Sequence, residues 1–289
     1  FSRRFSLDDE TLSRTNFLEL NGIDTVCRVY LNNELICECR DMHHNQRIEL
    51  KAGQLKKDNE IRLDFMSPYR YLREYQDHGG YETYGFTEAR SPLLRKANYM
   101  FGWDWAPNLA DMGVFQGIAI ESTNLGYLLH YRVNQSFSKT GDAKIKVTTN
   151  FHTIGKGKLI VSLFDPKGEG ELGSFVQDIA PSNSFTFLFK DPKLWYPRGY
   201  GEQNLYKLRF SYQGEGEKLE YSYHLGIRKV EIHDEQDEIG CNFAIYVNGK
   251  KIFLLGSNYI PEDFILARVT PERTKRLLKL ATQEGHNCI

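Results

Sequence analysis

The chain's most distinctive chemistry lies in one stretch, Arg95-Lys96-Ala97-Asn98-Tyr99-Met100-Phe101-Gly102-Trp103-Asp104-Trp105-Ala106-Pro107. Two of the three tryptophans flank one carboxylate here, with a glycine before and a proline after. Indole faces stack on the apolar C–H face of a pyranose, and a carboxylate accepts hydrogen bonds from sugar hydroxyls. Trp103, Asp104 and Trp105 therefore suit a sugar-contacting site. The alternative is a packed loop, with Asp104 capping backbone N–H groups and the indoles filling a core. The residues alone leave both readings open.

The same stretch resembles the RKAQYxFGWDWGP signature of β-mannosidases in glycoside hydrolase family 2. Other stretches resemble that family in its own order. Leu20-Asn21-Gly22-Ile23-Asp24-Thr25-Val26, followed by Val29-Tyr30-Leu31-Asn32, is similar to its first-domain pattern. Leu194-Trp195-Tyr196-Pro197-Arg198-Gly199-Tyr200-Gly201-Glu202-Gln203 resembles LWWPNGYGEQ, Gly226-Ile227-Arg228-Lys229-Val230 resembles GFRKV, and Gly256-Ser257-Asn258-Tyr259-Ile260-Pro261 resembles GANWIP. Three departures stand inside or beside the tryptophan motif: Ala106 for glycine, Asn98 for glutamine, and Asn108 for arginine. Alanine lacks glycine's conformational freedom, so Ala106 bears on the local backbone.

The resemblance implies an exo-acting, retaining β-mannosidase, in which one carboxylic acid protonates the leaving oxygen and a second carboxylate attacks the anomeric carbon. It also implies that both catalytic glutamates lie beyond Ile289, so that this piece is inactive alone. Asn33-Glu34 and Asn59-Glu60 fall on turns and strands of the first domain and are structural. By the same resemblance Trp103 and Asp104 hold the terminal mannose, with Lys96, Tyr99 and Trp105 in support. Asn258 and Tyr259 follow the first barrel strand and are further substrate candidates. The implied partner is a β-mannoside oligosaccharide, and no cofactor is expected. Two other function classes compete: a β-galactosidase or β-glucuronidase of the same family, and a non-catalytic carbohydrate-binding module.

Composition narrows the field. A net charge of −1 with no basic stripe gives no reason to expect a nucleic-acid partner. No apolar run is long enough to cross a bilayer. Aromatics make up 13% of the residues, which favours β structure and suits carbohydrate contact. Five cysteines, odd in number and irregularly spaced, point to reduced thiols in a cytoplasmic protein rather than a disulfide framework. Cys37 and Cys39 share a strand face, and His43-His44 has no third ligand at useful spacing, so no metal site is expected. A homodimer is compatible with all of this. The chain opens without methionine, in mid-pattern, and stops as an apolar run begins, so it reads as a piece of a longer protein whose leader is not visible.

The elements that must position these residues are mainly strands. Residues 1–126 read as a galactose-binding-like jelly-roll β-sandwich. Its strands fall at 26–30, 35–39, 47–50, 60–65 and 114–121, with an Asn32-Asn33 turn. Residues 69–88 read as a long loop or short helix feeding the tryptophan motif. Residues 127–228 read as an immunoglobulin-like β-sandwich, with strands near 127–134, 143–150, 159–164, 184–189 and 205–210. Trp195, Tyr196 and Pro197 read as interface or core. Residues 229–289 read as the first β/α unit of a truncated (β/α)8 barrel, a fold needing roughly 250 residues. They hold a hairpin turning at Asn248-Gly249 and a helix that starts at Thr270-Pro271 and ends at Gly285. Leu277, Leu278, Leu280 and Ala281 would form its buried face.

Overall fold

The computed structural model describes residues 1–74, 90–168, 170–236 and 238–289. Among the described residues strands hold 51% and helices 12%, so the chain is mainly β, as expected. Its residues pack into two compact units: Phe1–Ser122 with Ile260–Arg276, and Thr123–Tyr259 with Leu277–Ile289. Among the described residues no helix is long and apolar enough to cross a membrane.

The first unit begins with β1 (Ser2–Ser6), the short helix α1 (Asp9–Leu12) and β2 (Thr15–Asp24). Next come β3 (Cys27–Leu31), β4 (Glu34–Cys39), β5 (Gln46–Glu49), β6 (Asp58–Phe65) and the helix α2 (Pro68–Glu74). It closes with β7 (Phe101–Trp103), β8 (Ala106–Asn108) and β9 (Gly113–Thr123). One sheet runs β1-β6-β3-β4 and the other β5-β2-β9, and β7 and β8 form a separate ribbon. Alternate residues of both sheets turn inward. Leu18, Leu20, Val29, Leu31, Ile61 and Leu63 share one core with Ile118 and Ile120, the pattern that period-2 strands produce when two sheets face each other. A second small cluster, Leu72, Leu94 and Phe101, underlies the β7–β8 ribbon.

The β3–β4 hairpin turns at Asn32 and Asn33, both left-handed (φ 50° and 68°), the geometry a two-residue turn demands and asparagine tolerates. The sequence reading leaves β1 and β2 unassigned. Yet β2 is almost wholly buried, including Asn16, Glu19 and Asp24, and those polar residues hide its apolar character. Within 69–88, residues 69–74 belong to α2, which fits the short-helix reading, and 75–88 lie outside the described residues.

The second unit opens with β10 (Gly126–Phe137), β11 (Ala143–Thr153), β12 (Lys158–Phe164) and β13 (Glu171–Asp178). It continues with β14 (Ser182–Phe189), β15 (Tyr206–Gly214) and β16 (Glu217–Leu225). Two antiparallel sheets, β10-β11-β14 and β13-β12-β15-β16, make a seven-stranded immunoglobulin-like sandwich. Ile145, Val147, Leu159, Val161, Leu163 and Phe210 fill it. Phe151 stacks on Tyr212 at 4.1 Å between ring centres, so aromatic packing stands where many such domains carry a disulfide. Strands β13 and β16 were not assigned from sequence.

The chain then forms β17 (Val230–His233), β18 (Ala244–Val247) and β19 (Lys250–Ile252), a small antiparallel sheet turning at Asn248 and Gly249. Beyond it, Gly256 and Cys288 make a parallel bridge, and Leu255 O accepts from the N–H groups of Asn287 (2.8 Å) and Cys288 (3.2 Å). A Cβ on Gly256 would meet Cys288 O at 2.0 Å, so this close approach requires glycine. The helix α3 (Pro271–Gln283) connects the two sides. Thr270 Oγ1 accepts from Arg273 N–H at 3.3 Å and Gly285 is left-handed (φ 90°), which are the start and stop expected of it. Its apolar face, however, is not buried: no residue of α3 is, and Leu280 is 48% exposed. The amphipathic spacing is present, but nothing among the described residues covers it.

Candidate functional site

The tryptophan motif is a β-hairpin. Phe101 stands opposite Asn108 and Trp103 opposite Ala106, which leaves Asp104 and Trp105 as a two-residue turn. Proline at 107 suits an exposed two-stranded ribbon, where a missing N–H breaks no internal ladder. The left-handed residue is Gly102 (φ 110°), while neither Asp104 nor Trp105 has a positive φ. Phe101 and Met100 are fully buried and anchor the hairpin. At its tip Trp103 is 45% and Trp105 37% exposed, and Asp104 is exposed between them. Among the described residues Asp104 makes no hydrogen bond or ion pair. A capping carboxylate would accept a backbone N–H within two or three residues, so the capping alternative has no support in this geometry.

The hairpin rests on aromatic neighbours. Tyr99 lies against Trp105 at 5.3 Å and meets Phe264 edge-on at 5.8 Å. Burial pushes the Tyr99 phenol up, and the nearby carboxylates of Asp24 and Asp111 add to it. Tyr69 packs edge-on against Phe101 and donates its hydroxyl to Asn108 Oδ1 at 2.5 Å. Two of the departures thus have internal work: Asn108 accepts from Tyr69, and Asn98 Oδ1 accepts from Ser91 Oγ at 2.5 Å.

Lys96, which precedes the hairpin in sequence, has its side chain fully enclosed. Its ammonium donates to Asp24 Oδ2, and Thr25 Oγ1 donates to Asp24 Oδ1. Burial pushes the Asp24 carboxyl above the usual carboxylate range, more than the Lys96 ammonium, by charge and hydrogen bond, and the Thr25 hydroxyl pull it back. Sequence reasoning singled out Lys96 but not Asp24, Tyr69, Asp111 or Phe264. Only Asp24 stood in a quoted motif, and no local signal pairs residues 72 positions apart.

The structure therefore places Lys96, Tyr99, Trp103, Asp104 and Trp105 in the first unit, with Tyr99 against Trp105. Asn258 and Tyr259 belong to the second unit. Both are exposed, just past the C-terminal end of the Gly256–Cys288 parallel pair, the end at which parallel β/α sheets place ligand groups. Trp195 and Tyr196 are occupied otherwise. The Arg228 guanidinium lies 5.1 Å over the Trp195 ring and the Lys250 ammonium 4.7 Å over Tyr196. Asn248 Nδ2 donates to Trp195 O at 2.9 Å. These contacts make the 195–203 segment an interface within its unit.

Comparison with known proteins agrees with this architecture. Residues 1–116 match the glycosyl hydrolase 2 galactose-binding domain-like family, and residues 126–228 match glycosyl hydrolases family 2. Beta-mannosidase B of Emericella nidulans is 30% identical over 276 residues, which cover 91% of this chain and 32% of that protein. Beta-mannosidase B of Neosartorya fischeri is 29% identical with the same coverage. The crystal structure of β-D-mannosidase from Dictyoglomus thermophilum superposes with a TM-score of 0.89 at 29% identity, over 99% of this chain and 36% of that one. The chain spans about a third of the length of the curated relatives it matches. With both of its sandwiches matched by domains of one family, in that family's order, the chain belongs to glycosyl hydrolase family 2.

Proposed function

We propose that this chain is part of a retaining exo-β-mannosidase that removes terminal β-D-mannose from oligosaccharides, and that its β7–β8 hairpin is a wall of the sugar site. The observation that carries the reading is Asp104, exposed at a hairpin tip between two half-exposed indoles and without a partner among the described residues. Apolar surface and an unpaired carboxylate so arranged match the two faces of a pyranose. Along the chain we assign 1–126 to the sugar-binding-like domain, 127–228 to the immunoglobulin-like domain and 229–289 to the start of a barrel. Asn258 and Tyr259 are assigned to the substrate side of that start. The two catalytic carboxylates of a retaining site stand about 5 Å apart, and no such pair is assigned within these residues, so the chain alone is expected to be inactive.

A panel of aryl glycosides offered to the full-length enzyme carrying this chain tests the reading. Preferential turnover of the β-mannoside is expected. Preference for a β-galactoside or β-glucuronide would overturn it.

A further inference from the structure

The enclosed Lys96 joins three separate segments. Asp24 ends β2, Lys96 precedes the β7–β8 hairpin, and Asp111 follows it, 3.5 Å from the Lys96 ammonium. The two sides of the hairpin's neck are also tied by backbone, with Leu109 N–H donating to Met100 O at 3.0 Å. Beside Lys96, Met42 N–H donates to Arg95 O at 3.0 Å. A buried ion pair gains little over well-packed apolar side chains, because desolvation offsets most of the attraction. What it adds is direction, since charged donors and acceptors fix their partners' geometry in a way that apolar contacts do not.

We propose that Asp24 and Lys96 are positioning residues: their ion pair, extended to Asp111, latches both ends of the β7–β8 hairpin to β2 and so sets the orientation of Trp103, Asp104 and Trp105. The significance of that orientation rests on the sugar-site reading, but the latch itself is testable without sugar.

The chain labelled with 5-fluorotryptophan gives three fluorine resonances, for Trp103, Trp105 and Trp195. Trp195, in the other unit, is the internal reference. The variant Asp24→Leu/Lys96→Met removes both buried charges while keeping the site filled, a replacement that proteins often accept. The expected result is a folded chain with the Trp195 resonance unmoved and the Trp103 and Trp105 resonances shifted or broadened. Parental positions for all three in the folded double variant would overturn the latch. Should that variant fail to fold, Asp111→Asn decides the matter, because Asp111 is the half-exposed member of the trio. It is expected to broaden the same two resonances, and an unchanged spectrum overturns the proposal. Loss of the sugar-site reading shows separately, as unchanged kinetics on replacing Asp104 in the full-length enzyme.

Discussion

Arg198 sets its guanidinium against the carbonyl oxygens of Thr282 and His286, at the C-terminal end of α3. The last carbonyls of a helix lack internal partners and carry partial negative charge, so a cation there stabilises the last turn by about 0.3–1 kcal/mol. With no residue of α3 buried, and isolated short helices marginal in water, this contact is a main tether. Arg198→Ala is expected to speed amide exchange across 271–283 while leaving β12, at the sandwich core, protected. Equal protection of the helix in variant and parent would show that the tether is dispensable.

The thiols offer a check on the packing of the first sandwich. Cys27 and Cys39 face each other across β3 and β4 and are buried, and burial, with Cys39 beside it, pushes the Cys27 thiol up to about 12. Cys241 is exposed. The thiolate is the reacting species, so a disulfide reagent at neutral pH should modify Cys241 rapidly and Cys27 only after unfolding. Peptide mass mapping of a time course reads this directly. Rapid native labelling of Cys27 would mean that the β3–β4 face opens.

How much was legible from sequence follows from the range of each interaction. The turns at Asn32-Asn33 and Asn248-Gly249 were readable because left-handed backbone restricts the residue locally. Asn248 proves to do more than turn: its side chain also accepts from Lys229 N–H at 2.8 Å and donates to Trp195 O, and no local rule anticipates that second role. The exposed strand β13 carries little inward apolar signal and went unread. Leu277 and Leu280 gave the period of a helix face correctly but could not show whether anything covers it. The hairpin tip was found as a motif, whereas its latch to Asp24 depends on tertiary proximity.

Acid should loosen the loop that packs against Tyr99. Asp263 accepts from Ile265 N–H at 2.9 Å and pairs with Arg273 at 3.3 Å. The backbone bond, and then the arginine, holds its carboxyl below the usual carboxylate range. A carboxyl depressed in the folded state contributes stability above its unfolded pKa, about 3.9, and loses it as pH falls through the folded value. The Phe264–Tyr99 contact should therefore weaken on acidification below about pH 4, as ring proton shifts would record. Asp263→Asn should flatten that dependence. An identical acid profile in the variant would assign the loosening to other groups.

Asp104 separates a ligand role from a structural one. Its side chain has no partner among the described residues, and surface substitutions away from specific contacts usually change stability by no more than about 0.5 kcal/mol. Asp104→Ala should therefore leave the melting temperature of this chain nearly unchanged. Under the proposed sugar-site reading, the same change in the full-length enzyme would remove charge-assisted hydrogen bonds to sugar hydroxyls, worth roughly 1.5–3 kcal/mol each. A loss of at least about tenfold in kcat/KM is expected, and more if two such bonds strengthen in the transition state. A cap would give the reverse pattern, about 1 kcal/mol of stability lost with near-normal kinetics in the folded fraction. Melting and kinetics measured on one preparation distinguish the two, and a lowered melting point with unchanged kcat/KM would remove Asp104 from the site and weaken the case for Trp103.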